Sequence, residues 1–95
     1  MIETPERLFT TQTEIARVEA LVQALPDEAV VELHLVDGKV VVGTVSMRPS
    51  VQVFRDVDGN EGVNAVVRLD DRDNQAHTHY LWMDRIDSVV RLGSS

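Results

Sequence analysis

"VVELHLVDGKVVVGTVSM", residues 30–47, is the stretch on which the reading of the fold turns. Val31, Leu33 and Leu35 alternate with Glu32, His34 and Val36, the period of a strand with one buried face. Asp37-Gly38 then interrupts the alternation. An Asx-Gly pair between apolar runs predicts a β-hairpin, with a type I′ turn that takes positive φ at both residues. The return strand, Lys39 to Met47, holds Gly43 near its middle. Glycine inside a strand marks a bend, a bulge or a close backbone approach.

Upstream of the hairpin the period changes. Thr11-x-x-Glu14 fits a capping box, and Ile15, Val18, Val22 and Leu25 follow at helical spacing with alanines between them. Pro26 stops the run, so a helix is expected over about 11–25. Thr4-Pro5-Glu6 reads as a shorter helical start, with proline at the first helical position. Downstream everything has strand character. Pro49 breaks the first return strand, "VQVFRDV" resumes it, and Asp58-Gly59-Asn60 turns the chain into "GVNAVVRLDD". The polar loop "DDRDNQ" leads to "HTHYLWM", and a short turn near Asp84 leads to "IDSVVRL". One helix followed by five or six strands in meander order makes a mostly β chain. With so few residues, a small bent antiparallel barrel over about 30–92 buries those strands most compactly.

Composition narrows the class. Ninety-five residues make a single domain, small enough to gain from burying surface against another copy. No cysteine is present, which excludes disulfides and thiolate metal sites and fits a cytoplasmic setting. No window reaches the roughly 20 apolar residues of a membrane helix, and "MIETPERLF" has neither the basic start nor the apolar core of a signal peptide. Nine Lys and Arg stand against sixteen Asp and Glu, a net charge of −7. A phosphate backbone is repelled unless the cations cluster on one face.

A helix followed by a five-stranded bent barrel resembles the Sm-like (LSm) fold, with the Hfq type as the most similar form. "LHLVDGKVVVGTV" is similar to the first Sm motif, with Gly43 where the family bends its second strand. "WMDRIDSVV", residues 82–90, is similar to the second motif in its Hfq form, with Ile86, Val89 and Val90 at the apolar positions. Asn64 in "GVNAVVRLDD" stands at the motif's asparagine. The resemblance runs from about Thr11 to Leu92 and suggests a small bacterial branch of the family.

The resemblance also has gaps, and they bear on function. The chain from Gly43 to Asn64 is longer than the family pattern by about ten residues, so the segment around 48–62 either extends the second strand or forms an extra hairpin. The basic pair that the Hfq form uses on RNA falls on Met83 and Asp84. The barrel is therefore expected to be kept and the usual RNA site lost. The reading that follows is a non-enzymatic module that self-associates or takes a protein partner. Its rival is an RNA binder using a relocated site at Asn64, Arg68 and Arg85. The family closes rings by pairing its fourth strand with the fifth of the next subunit. Here those strands are "HTHYLWM" and "IDSVVRL", which makes Tyr80, Trp82, Val89 and Val90 the interface candidates. If the insertion covers one edge, a dimer is favoured over a ring.

Other sites read more plainly. His77 and His79 share one face of a strand, as two imidazole ligands of a metal would, with a third from His34, Asp70 or Asp73. Two solvated histidines beside a polar loop is the simpler account. "DVDGNEG", residues 56–62, lacks the oxygen spacing of a calcium loop and reads as a hairpin turn. No serine is paired with a histidine by the sequence, and Asp70-Asp71 with Asp73 reads as a solvated loop, so neither an enzyme nor a cofactor is expected. Arg48, Arg55, Arg68 and Arg85 read as dispersed charge rather than a basic stripe. Trp82 is expected to cap the barrel beneath the helix or to stand in an interface.

Overall fold

The computed structural model describes residues 7–74 and 76–94. The expected first turn at Thr4-Pro5-Glu6 lies outside the described residues. The capping box forms as the sequence implies. Thr11 accepts from the Glu14 N–H at 3.2 Å, the Glu14 carboxylate accepts from the N–H groups of Thr10 and Thr11, and Arg7 pairs with the same carboxylate. Helix α1 (Gln12–Gln23) follows and buries Val18, with Leu21 and Val22 packed partly against the core. It ends two residues before Leu25, because Pro26 disfavours helical backbone at the residue before it. Leu25 is nonetheless fully buried.

Seven strands follow: β1 (Ala29–Leu35), β2 (Val40–Met47), β3 (Gln52–Arg55), β4 (Glu61–Asn64), β5 (Val66–Asp71), β6 (Thr78–Trp82) and β7 (Ile86–Ser94). A single 3-10 turn, Met83–Arg85, joins β6 to β7. Five strands form one antiparallel sheet in the order β6-β5-β2-β1-β7. Its inner side, with α1 and Phe9, encloses Val31, Leu33, Val45, Val67, Leu69, Met83 and Ile86.

The opening hairpin forms, but its turn is not the type expected. Leu35 and Lys39 close it through the Leu35 N–H to Lys39 carbonyl bond, and Gly38 N–H donates back to the Leu35 carbonyl. The loop is therefore the three residues Val36-Asp37-Gly38, and only Gly38 takes positive φ, at 90°. Val57-Asp58-Gly59 repeats the same arrangement between β3 and β4, with Gly59 at 83°. Gly38 supplies the left-handed residue that a three-residue hairpin loop requires. Gly43 has a different role. It lies between β1 and β5, and a Cβ there would overlap the Asp70 carbonyl oxygen and press on Leu69.

The insertion makes the extra hairpin. β3 and β4 pair only with each other, as a separate two-stranded sheet, to which Phe9 adds a bridge by exchanging two 2.9 Å bonds with Val63. It pairs with neither β6 nor β7. The expectation of Trp82 as a cap on the barrel is corrected. Its ring meets Phe54 of this hairpin edge-to-face, with centroids 5.7 Å apart, and is not among the side chains packed against the core.

Candidate functional site

Asn64, at the end of β4, is fully buried and its amide is fully occupied. Its Nδ2 donates to the Arg7 carbonyl at 2.8 Å and to Asp84 Oδ1 at 2.9 Å. Its Oδ1 accepts from Ala65 N–H at 2.8 Å and Met83 N–H at 3.2 Å. An amide has two donor hydrogens and one carbonyl acceptor, so the group has nothing left for a nucleobase. Asn64 is thus withdrawn from the RNA-contact residues by its burial and bonding. It ties together the β4–β5 break, the N-terminal segment and the 3-10 turn. Met83, where the resemblance locates a cation, is a buried core side chain. Asp84, at the other such position, is the carboxylate that receives Asn64.

Most arginines are committed within the chain. Arg7 pairs with Glu14, Arg55 with Glu61 at 2.8 Å, and Arg85 with Asp37 at 3.5 Å. Arg72 lies 3.8 Å from Asp73. Arg55 on β3 and Arg85 in the 3-10 turn are therefore each tied to a carboxylate, Glu61 and Asp37 respectively. Arg68 stands exposed on β5 between Met47 of β2 and Tyr80 of β6, with no carboxylate partner among the described residues.

The two histidines do share a face, with ring centroids 4.4 Å apart. His79 Nε2 lies 2.9 Å from Asp71 Oδ2, while Asp71 Oδ1 accepts from the N–H groups of Asp73 and Asn74. The bond to His79, then those backbone donors, hold the Asp71 carboxyl below its ordinary value. The acid that completes this cluster is Asp71, not His34, Asp70 or Asp73. His34 sits 2.7 Å from Glu32 instead, and Asp70 accepts from Thr78 at 3.3 Å. Extending the two-residue alternation of His77 and His79 back across the loop would have pointed to Asp71. Among the described residues no three such groups converge as a metal site.

The sheet edges are the remaining candidate surface. Asp71 N–H bonds the His77 carbonyl, and Met83 N–H bonds the Ala65 carbonyl. Antiparallel pairs alternate, so Leu69–His79 and Val67–Leu81 also exchange bonds with β5. The N–H and C=O groups of Thr78, Tyr80 and Trp82 then point away from the sheet, and Tyr80 is 48% exposed. The β7 edge is built differently. Its pairing with β1 is shifted twice, leaving Leu92 and Asp87 as extra residues. Arg17 from α1 donates to the Ile86 and Asp87 carbonyls at 3.3 and 3.0 Å. Between the two irregularities only Val89 and Arg91 face outward, with Val89 packed against the core and Val90 exposed on the other face. The role of Arg17 had no signal in the sequence, because it depends on how the helix lies across β7.

A family model described as a domain of unknown function (DUF3247) matches residues 2–92. The chain belongs to this family. DUF3247 gives no activity by its description, and none of the curated proteins matches the sequence. A solved relative places the fold. The crystal structure of XC5848 from Xanthomonas campestris, described as adopting a novel variant of Sm-like motif, is 36% identical. The match covers 95% of this chain and 97% of that one, with a TM-score of 0.83. This DUF3247 domain is therefore a variant of the Sm-like fold, mostly β with an N-terminal helix, and the inserted β3–β4 hairpin is part of its architecture. No helix among the described residues is long and apolar enough to cross a membrane.

Proposed function

We propose that this DUF3247 protein is a cytoplasmic, non-enzymatic interaction module that self-associates and has given up the RNA site of its fold. The observation that carries the proposal is the node at Asn64. The two positions that the resemblance assigns to RNA hold a buried methionine and a carboxylate already bonded inside the chain, and the asparagine that donates that bond is itself buried. A charge of −7 adds long-range repulsion, since counterion release from paired cations drives most nucleic-acid binding. The unsatisfied β6 edge supports self-association.

Filter binding with uridine-rich and adenine-rich single-stranded RNA tests the first half. No complex is expected at physiological salt. Submicromolar binding abolished by Arg68→Ala would instead favour the rival reading of a relocated RNA site, of whose three residues Asn64, Arg68 and Arg85 only Arg68 is exposed without a carboxylate partner among the described residues. Light scattering at micromolar concentration tests the second half, with a mass above the monomer expected.

A further inference from the structure

From the accounting of strand edges we infer that two copies of this chain join β6 to β6 across a two-fold axis through Tyr80, rather than β6 to β7 around a ring; this rests on the self-association proposed above. Four features separate the two edges. β6 has no bulge, proline or lysine, and the backbone at three alternate positions, Thr78, Tyr80 and Trp82, is directed away from β5. β7 is interrupted twice, and two of its carbonyls are taken by Arg17. Bulges and covering groups are how folds prevent strand addition at an edge. A heterologous ring needs both edges; an isologous dimer needs only the open one. The β3 edge is a weaker competitor, at four residues with an ion-paired Arg55.

The register follows from the geometry. Outward residues must pair with outward residues. Centring on Tyr80 pairs Tyr80 with its own copy and Thr78 with the partner's Trp82, so all three positions in each chain are used. Centring one residue away leaves one of them unpaired in each chain. The charges also fit this register. Met47, Arg68 and Tyr80 form one cross-strand row on the exposed face, which the axis continues into the partner's Tyr80, Arg68 and Met47. The two Arg68 Cα positions then lie three strand spacings apart, about 14 Å, beyond the ~8 Å screening length at physiological salt. Asp70 shares its row with Thr78, and so faces the partner's Trp82 and Val66 rather than a second acid.

Disulfide trapping tests the register directly, because the chain has no cysteine of its own. Residues paired across such an axis have Cα atoms about 5.5 Å apart, within disulfide reach. Tyr80→Cys is expected to cross-link to a covalent dimer on mild oxidation, with an unchanged circular dichroism spectrum. Val89→Cys is expected to stay uncross-linked. Tyr80→Pro removes an outward N–H without touching the β5 ladder and should raise the dimer dissociation constant at least about tenfold. An uncross-linked Tyr80→Cys in a protein whose parent is a dimer would overturn the β6 interface, as would a Tyr80→Pro variant that dimerises like the parent. A hexameric or heptameric parent would overturn it in favour of β6–β7 pairing. A monomeric parent would overturn the proposed self-association itself, and the interface with it.

Discussion

At Asn64 a single side chain closes three backbone ends, and its replacement shows what that arrangement is worth. Asn64→Ala strands the Ala65 N–H group and leaves the Arg7 carbonyl and Asp84 without their donor, while the Met83 N–H keeps its bond to the Ala65 carbonyl. Buried groups left unpaired cost about 1–3 kcal/mol each, so a loss of roughly 3 kcal/mol is expected by chemical denaturation. Asn64→Asp is the sharper variant. It sets a second carboxylate against Asp84, so one of the two is held protonated in the fold with a raised pKa. Stability of that variant should be greatest in mild acid and fall as pH rises through the raised value. A melting temperature that rises from mild acid to neutral pH would contradict the bond to Asp84. Gly43 acts through space rather than through polarity. Gly43→Ala already meets the Asp70 carbonyl, and Gly43→Val is expected to cost about 3 kcal/mol or prevent folding. An unchanged melting temperature would place the close approach elsewhere.

The helix start, the second hairpin and the β5–β6 loop are each held by one carboxylate bonded to local partners. Glu14 is depressed by the N–H groups of Thr10 and Thr11, Asp56 by that of Asn60, and Asp71 by His79. All three folded values lie below the ordinary 4.5 for Glu and 3.8 for Asp. Their contribution is therefore complete above those values and is lost as pH falls through the depressed ones. The melting temperature should be flat in these three groups above about pH 5 and decline in acid, and Glu14→Gln should make that decline shallower. Thr11→Ala removes the other half of the capping box and should cost about 1 kcal/mol at neutral pH. A variant without loss would mean that the Arg7–Glu14 pair alone holds the helix start.

In the assembled molecule, charge and edges act in opposite directions. Every copy carries −7, so bringing copies together costs repulsion that salt screens. Self-association should therefore tighten between low and physiological salt, measured by sedimentation. Binding to RNA would weaken over the same range, because counterions compete for the phosphates. The sign of the salt dependence distinguishes the two kinds of assembly without knowledge of the interface. A ring multiplies the total charge six- or sevenfold, whereas a dimer only doubles it, and the repulsion rises faster than the charge.

The β1–β2 alternation, the Thr11–Glu14 cap and the glycine at a close approach were legible in the sequence, since each depends on residues close in the chain or on a period. The seventh strand and the β1–β7 and β2–β5 pairings were not. Nor was the turn type at Asp37-Gly38. Its three-residue loop is set by how β1 and β2 pair, and the pair of letters alone does not choose it. Asn64 read as a surface residue because polarity reports what a side chain needs and not where it finds it; four partners from three separate segments supplied that need inside the fold. Arg17 carried no signal in the sequence, and it covers β7 carbonyls through a contact spanning 70 positions. Local geometry and periodicity are written along the chain, whereas the satisfaction of buried polar groups and the protection of sheet edges depend on distant segments, which only the closed fold brings together.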